Sequence, residues 1–289
     1  MPTAGGDALI TRELELLRPS TTAEALALLA ERGEDITVLA GGMSLLPMMN
    51  LGIVQPDVVM SLNHVSDLGD LTYDGELRIG ATVRHRQVME SDLVNAHAPI
   101  LAEAAARIGD VQVRNRGTMV GSLCHSDPAC DYSPVIMVTG AEVELTSLGG
   151  TRRLPSDEFL IDLMFTAREL DELVTAVVVP GLPSGAGSAY VRFARVEGSF
   201  AIVNAAALVD AGFGSVRVAI GGVGPVPVLV DATDAFADGP EPAAFEELAA
   251  RAYDAAEYAS ADIHSDAEYR RHMAGVFARR AVQQAIAGM

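Results

Sequence analysis

The chain has 289 residues, 49% of them hydrophobic, which is enough for roughly two or three compact domains with buried cores. Its formal net charge of -19 argues against nucleic acid as a partner, because nucleic-acid binding depends on basic residues that neutralise phosphates. The sequence contains no lysine, which excludes Schiff-base chemistry and a lysine general base.

The apolar runs argue against membrane insertion. The longest, such as 173–180, are strand-length and fall well short of the about 20 residues that span a bilayer. Residues 1–12 have no basic start followed by an apolar stretch, so no secretory signal is expected and a cytoplasmic location is predicted. Cys124 and Cys130 are expected to stay reduced in that compartment.

The N-terminal segment predicts a small α/β unit. Hydroxyl residues at 20–22 can cap a helix that stops at Gly33. The apolar run 36–39 predicts a strand that leads into two adjacent glycines, and 58–60 predicts a second strand.

The middle of the chain mixes strand and helix patterns. The predicted elements are a strand at 77–81, helices at 83–93 and 100–108, a polar, glycine-containing stretch at 109–122, apolar or alternating segments at 135–139 and 142–146, and a strand at 173–179. The glycine-rich segment 181–187 then predicts a domain boundary near residue 180.

Strands followed by helices in the last part of the chain predict an α+β domain. The strands are expected at 189–196, 201–209 and 216–220, and the helices at 243–259 and 267–286. We therefore predict an N-terminal lobe at 1–62, a second lobe at 63–180 and a C-terminal domain at 181–289.

The first segment with chemical content is the glycine-rich loop Ala40-Gly41-Gly42-Met43-Ser44. Adjacent glycines allow several backbone N–H groups to converge on one point without obstruction by a Cβ, and such a nest binds an anion such as a diphosphate. Taken alone, the same glycine pair is also typical of an ordinary tight turn after a strand.

The second segment is the polar stretch 112–131, which lies between two well-patterned elements. Long polar loops in such positions are usually functional. Cys124, His125, Asp127 and Cys130 could be taken for metal ligands, but two cysteines are too few for a zinc or iron–sulfur site of the usual kind, so no metal is expected. The isolated histidines His64, His85 and His97 are expected on the surface or in loops.

Together the two segments resemble the FAD-binding subunit of the molybdenum hydroxylases. The matching motifs are Ala-Gly-Gly-Met-Ser-Leu-Leu-Pro at 40–47 and Arg-Asn-Arg-Gly-Thr-Met-Val-Gly-Ser-Leu-Cys-His-Ser-Asp-Pro-Ala at 114–129. The resemblance extends over nearly the whole chain. It implies an α+β fold in which a two-lobed FAD-binding domain of the molybdopterin dehydrogenase type precedes a smaller α+β C-terminal domain.

The resemblance also implies roles for individual residues. The diphosphate of FAD would be held by Ala40, Gly41, Gly42, Met43, Ser44 and Leu45, and FAD would be approached from the second lobe by Gly117, Thr118, Gly121 and Ser122. Asp131 would bond a ribose hydroxyl, Ile108 and Val174 would border the isoalloxazine, Tyr190 would shield that ring, and Arg192 would place a cation near it. Two positions depart from the family pattern: Val120 replaces a common glycine, and Ser122 replaces a common asparagine.

The implied function is electron transfer, with no catalytic residue in this chain. A large partner with molybdopterin would oxidise the substrate, a small partner with [2Fe-2S] clusters would relay electrons, and FAD would pass them to an external acceptor. Two alternatives stay open: a self-sufficient FAD-dependent oxidoreductase that acts on a small molecule, and a subunit without redox function. The substrate of the complex and its acceptor cannot be predicted from this chain.

Overall fold

The computed structural model describes residues 13–289 and contains both helices and strands, as predicted. The prediction that residues 1–12 form no secretory signal concerns a segment outside these residues. The strands are β1 (Glu15–Leu17), β2 (Ile36–Leu39), β3 (Val58–Ser61), β4 (Leu71–Tyr73), β5 (Glu76–Gly80), β6 (Glu142–Ser147), β7 (Gly150–Pro155), β8 (Leu160–Asp162), β9 (Phe165–Thr166), β10 (Leu173–Pro180), β11 (Gly187–Phe193), β12 (Val203–Val209), β13 (Val216–Gly221) and β14 (Val228–Asp231). The α-helices are α1 (Thr22–Arg32), α2 (Leu45–Asn50), α3 (His85–Glu90), α4 (Asp92–His97), α5 (Pro99–Arg107), α6 (Val111–Arg116), α7 (Met119–His125), α8 (Tyr132–Thr139), α9 (Ser156–Phe159), α10 (Pro242–Ala255) and α11 (Ala267–Ala287).

The N-terminal part is a parallel three-stranded sheet in the order β1-β3-β2, with α1 between the first two strands in sequence. The hydroxyl of Thr21 caps α1 by accepting the N–H of Glu24 at 3.2 Å. Because β2 ends at Leu39, the glycine-rich loop leaves from the carboxyl edge of the sheet. This edge is where parallel sheets commonly bind ligands.

The second sheet is antiparallel, in the order β4-β5-β10-β6-β7. β10 is its central strand, and every residue from Leu173 to Val179 is buried. An uninterrupted apolar run is what a strand covered on both faces requires.

The C-terminal part is an antiparallel sheet in the order β11-β12-β13-β14, covered by α10 and α11. Its apolar residues, among them Phe236, Leu248, Phe277 and Val282, form a core distinct from the one beneath the first two sheets. α8 of the second lobe lies against β12 and β13 and so joins the two parts. Within residues 13–289 no helix is long and apolar enough to cross a bilayer.

Local capping explains most differences from the sequence prediction. The stretch 109–122, expected to be irregular, contains α6 and α7, because Asp110 accepts the N–H of Val113 at 2.9 Å and Thr118 accepts that of Gly121 at 3.1 Å. The helix expected at 83–93 is divided into α3 and α4 at Ser91.

The apolar segment 135–139 belongs to α8. Every residue of α8 is buried. A short helix that is apolar on all sides has no amphipathic period, so its sequence resembles a buried strand.

Candidate functional site

A cavity of about 450 Å³ lies where the two lobes and the C-terminal part meet. Such a volume is typical of a small-molecule site, for which about 300–1,000 Å³ is usual. All of the residues predicted to hold FAD line it except Tyr190 and Arg192, namely Ala40, Gly41, Gly42, Met43, Ser44, Leu45, Ile108, Gly117, Thr118, Gly121, Ser122, Asp131 and Val174. The fold therefore brings together segments that are far apart in the sequence.

The loop after β2 turns sharply at Gly42, whose φ of 77° lies in the left-handed region that favours glycine. α2 begins after Ser44, and among the described residues the Ser44 hydroxyl makes no capping bond to this helix. In the first turn of α2 the N–H of Leu46 donates to the carbonyl of Gly42 at 3.2 Å, and Pro47 has no N–H. Within residues 13–289 the N–H groups of Met43, Ser44 and Leu45 have no hydrogen-bond partner. The loop and the start of α2 thus present backbone donors to the cavity, as an anion requires.

Gly41 lies against the backbone of the second lobe. A Cβ at this position would lie 2.6 Å from the carbonyl oxygen of Arg116, 2.7 Å from Cα of Gly117 and 3.0 Å from the amide nitrogen of Thr118. Such short distances exclude any side chain unless the backbone moves. Gly41 therefore allows the two loops to touch, and their contact closes one side of the cavity.

The second loop is fixed by α7. Thr118 caps this helix by accepting the N–H of Gly121, so its hydroxyl is engaged within the loop. The hydroxyl of Ser122 lies 3.3 Å from Sγ of Cys130, and Val120, at the position where relatives often have glycine, is buried in the cavity wall.

Asp131 is 8% exposed and joins the second lobe to the C-terminal part. The hydroxyl of Tyr190 donates to Oδ1 of Asp131, and Nη1 of Arg192 lies 3.3 Å from the same oxygen. Arg192 also donates to the backbone carbonyls of Arg107 and Ser199. Burial raises the pKa of Asp131, while the charge of Arg192 opposes that rise.

Tyr190 and Arg192 thus lie behind Asp131 and not on the wall of the main cavity. Arg192 borders a smaller cavity of about 160 Å³. Its Nε is buried and has no hydrogen-bond partner among residues 13–289. The shielding role of Tyr190 and the flavin contact of Arg192 stay predictions, and the contact that the structure describes for both residues is with Asp131.

His85 is 4% exposed, so its expected place on the surface or in a loop is wrong. Its Nδ1 lies 3.2 Å from the hydroxyl of Tyr132, and its backbone N–H donates to the carbonyl of Gly117 at 3.0 Å. Burial lowers the pKa of His85 to about 4, with further contributions from the charges of Arg84 and Arg114. The imidazole is neutral near pH 7 and supports the second loop by packing.

The buried His85 predicts a loss of stability in acid. The unfolded chain takes up a proton near its ordinary pKa of about 6.5, whereas the folded chain resists until about 4, so stability is full above about 6.5 and falls as the pH decreases. The gap corresponds to about 3 kcal/mol. We expect His85→Gln to lose less unfolding free energy than the natural chain between about pH 7 and about pH 4.5, as measured by urea unfolding. Equal losses in the two proteins would contradict this assignment.

The cavity also contains residues that sequence analysis did not assign to FAD. Arg168, from the connection between β9 and β10, lines it, as do Gly198 and Phe200 from the loop after β11. Cys124 and His125 line it as well, and burial raises the pKa of the Cys124 thiol to about 12. Among the described residues no group of three or more His, Cys, Asp or Glu side chains is arranged to hold a metal. A lone arginine in a turn has no pattern by which sequence analysis could find it.

The residues present fit an FAD. Gly41 packs against the backbone of the second lobe, and Gly42 turns the chain with a positive φ. Between them these glycines bring loop backbone to the cavity wall without a side chain, which suits a diphosphate. The apolar side chains of Ile108, Leu173 and Val174 offer a surface for a flat ring system. Asp131 supplies the carboxylate acceptor that a ribose hydroxyl needs.

Comparison with known proteins identifies two family models. Residues 12–182 match the FAD binding domain in molybdopterin dehydrogenase, and residues 188–285 match the CO dehydrogenase flavoprotein C-terminal domain. The nicotine 6-hydroxylase medium subunit of Paenarthrobacter nicotinovorans is 35% identical over 92% of this chain and 95% of its own length. The carbon monoxide dehydrogenase medium chain of Hydrogenophaga pseudoflava is 33% identical over 96% of this chain and 98% of its own.

Solved structures agree with these matches. A carbon monoxide dehydrogenase from Hydrogenophaga pseudoflava that lacks the Mo-pyranopterin moiety superimposes with a TM-score of 0.89 at 33% identity and covers 96% of this chain and 98% of its own. Quinoline 2-oxidoreductase from Pseudomonas putida 86 has a TM-score of 0.85 at 28% identity over 96% and 98% of the two chains.

Proposed function

This chain belongs to the family of FAD-binding medium subunits of the molybdenum hydroxylases, and from that premise we propose that it is the electron-transfer subunit of a multi-subunit dehydrogenase. The comparisons confirm the family resemblance that the two motifs indicated and the predicted fold class. They also confirm that the chain belongs to an oxidoreductase family and that its cofactor is FAD. The direction of electron flow and the identity of the partners belong to the proposal.

The observation that carries the proposal is the cavity closed by Gly41 against the second lobe. We propose that the backbone of 40–45 and the start of α7 hold the diphosphate, and that Asp131 accepts a ribose hydroxyl. Ile108 and Val174 would then exclude water from the two sides of the ring. Asp131 would be kept in place by Tyr190 and Arg192.

When bound, FAD supplies the exchange of electrons singly or in pairs that links one-electron carriers to two-electron acceptors. The protein itself orients the cofactor and adjusts its electrostatic surroundings. Two titratable residues of the cavity are already engaged: Asp131 is bonded to Tyr190 and Arg192, and His85 is neutral and packed against Gly117.

We propose that electrons arrive from a small subunit with [2Fe-2S] clusters, which receives them from a large subunit with molybdopterin, and leave to an external acceptor. Relatives named as medium chains of carbon monoxide dehydrogenase and as the medium subunit of nicotine 6-hydroxylase support such an assembly. The domain limits 1–62, 63–180 and 181–289 and the cytoplasmic location remain predictions.

The proposal is tested by purification of the tagged chain from cells that express it with its native partners. We expect FAD, iron and molybdenum to elute together with this chain, and we expect substrate to bleach the flavin absorbance only in the complete assembly. The matched control is the tagged chain expressed without partners, which should contain FAD but neither iron nor molybdenum.

Other results would favour the alternatives. Flavin without iron or molybdenum, together with turnover of a small substrate by the isolated chain, would identify a self-sufficient oxidoreductase. A stable protein without flavin or partners would contradict both enzymatic functions.

A further inference from the structure

Arg168 lines the cavity and carries a positive charge, and none of the roles proposed so far uses this charge. Among the described residues that line the cavity, Arg168 is the only one with a permanent positive charge, and Asp131 is the only one with a carboxylate. Asp131 already has Arg192 as its cation. The charge of Arg168 is therefore not needed to neutralise the wall of the cavity.

The connection between β9 and β10 holds Arg168 in a defined place. Its Nη1 donates to the backbone carbonyls of Glu169 at 3.0 Å and Glu172 at 2.8 Å. These bonds use neutral acceptors and only one of the guanidinium nitrogens. Among the described residues no hydrogen-bond partner is present for Nε or Nη2, so these donors are free to act toward a ligand.

The carboxylate of Glu172, which lies in the same connection, is hydrogen-bonded to another arginine. Arg152 donates to both of its carboxylate oxygens, from Nε at 2.6 Å and from Nη2 at 2.8 Å. Arg168 forms no ion pair with Glu172 within 4.0 Å among the described residues. Among the described residues no carboxylate therefore pairs directly with the guanidinium of Arg168, although Glu169 and Asp171 belong to the same connection.

Arg168 lies toward the ring end of the proposed FAD site and away from the diphosphate end. It bonds the carbonyl of the residue that precedes Leu173 and Val174, both of which line the cavity. It is also close enough to Cys124, in the last turn of α7, to oppose the rise of the thiol pKa. The proposed diphosphate contacts are at the first turn of α7, and a helix of this length spans about 10 Å.

We propose that Arg168 raises the reduction potential of the bound FAD. The reduced cofactor carries more negative charge on its ring than the oxidised one, so a fixed cation beside the ring favours the reduced form. Arg168 is half-buried, so water screens its charge only in part. The inference rests on the proposed function, and it makes Arg168 a residue that adjusts the cofactor and takes no part in holding its diphosphate.

The test is a redox titration of the FAD-loaded full chain against a reference dye, with dithionite as reductant and flavin absorbance as readout. We expect Arg168→Leu to retain FAD and to lower the equilibrium constant for two-electron reduction at least about tenfold, which is about 30 mV. Arg168→Lys keeps the charge and should recover most of the difference.

Arg152→Leu is the matched control. It removes a guanidinium that bonds Glu172 and the carbonyl of Ala167 in the same connection, but Arg152 does not line the cavity. We expect its potential to equal that of the natural chain. An equal shift in Arg152→Leu would mean that disturbance of the connection, not loss of the cavity charge, changes the potential, and would overturn the proposal.

Two further outcomes would also overturn it. One is an unchanged potential in Arg168→Leu with full flavin content. The other is loss of FAD from Arg168→Leu with retention in Arg168→Lys, which would assign the charge to cofactor binding. If the natural chain itself bound no FAD, the proposed function would fail first, whereas bound FAD with equal potentials in all variants would refute this inference alone.

Discussion

Gly41→Ala is expected to remove most of the FAD from the purified chain. The added methyl group would lie 2.6 Å from the carbonyl oxygen of Arg116 and 2.7 Å from Cα of Gly117, both of which are backbone atoms that cannot rotate away. The loop after β2 must then move from the second lobe, and the cavity opens along the side where the diphosphate is proposed to lie. The flavin-to-protein ratio after gel filtration measures the effect.

Gly214→Ala provides the control for Gly41→Ala. Gly214 has a φ of -65°, and an added Cβ would meet no atom within 4 Å, so alanine fits there without strain. We expect this variant to keep its full flavin content and an unchanged melting temperature. Full FAD occupancy in Gly41→Ala, with an unchanged dissociation constant, would disprove the contact between the loops as the basis of the site.

Asp131→Asn is expected to weaken both the fold and the binding of FAD. Amide replacement leaves the charge of Arg192 buried without a counter-charge, and loss of one partner of a buried ion pair costs about 3–5 kcal/mol. The proposed bond to a ribose hydroxyl also loses its charged acceptor, which is worth about 1.5–3 kcal/mol. We therefore expect FAD affinity to fall at least about tenfold.

A double-mutant cycle separates these two effects of Asp131. Removal of both charges in Asp131→Asn with Arg192→Met should give a chain that is more stable in urea than Asp131→Asn alone, because no unpaired charge remains. The FAD affinity of the double variant should stay low, since the acceptor is still absent. Simple addition of the two single losses in unfolding free energy would show that the residues are not coupled.

Both loops that line the cavity have local signals in the sequence, although these signals alone do not assign them to FAD. The strand 36–39 is followed in the sequence by a glycine pair, and Gly42 adopts the left-handed conformation that such a pattern favours. Asp110 and Thr118 are residue types that favour helix N-caps, and both cap helices in the structure. The glycines nearby favour a loop instead, so the sequence pattern does not predict these two helices.

Contacts between distant segments could not be predicted in this way. The burial of His85 depends on Tyr132 and Gly117, and the bond of Tyr190 to Asp131 joins residues that are 59 positions apart. No local period or spacing encodes such a pair. The same holds for Arg168, whose position in the cavity depends on how β10 is placed beside α7.

The bonds of Asp131 also limit how this protein can exchange parts with its relatives. Asp131 precedes the connection at 181–187, whereas Tyr190 and Arg192 follow it, so the carboxylate and its partners would be inherited separately in any recombination at that connection. A chimera joined there would retain the glycine-rich loops yet bind its cofactor normally only if the incoming part brought a phenol and a cation to the same two positions. The connection separates the two matched parts of the chain, but residues of the proposed cofactor site and their partners lie on both sides of it.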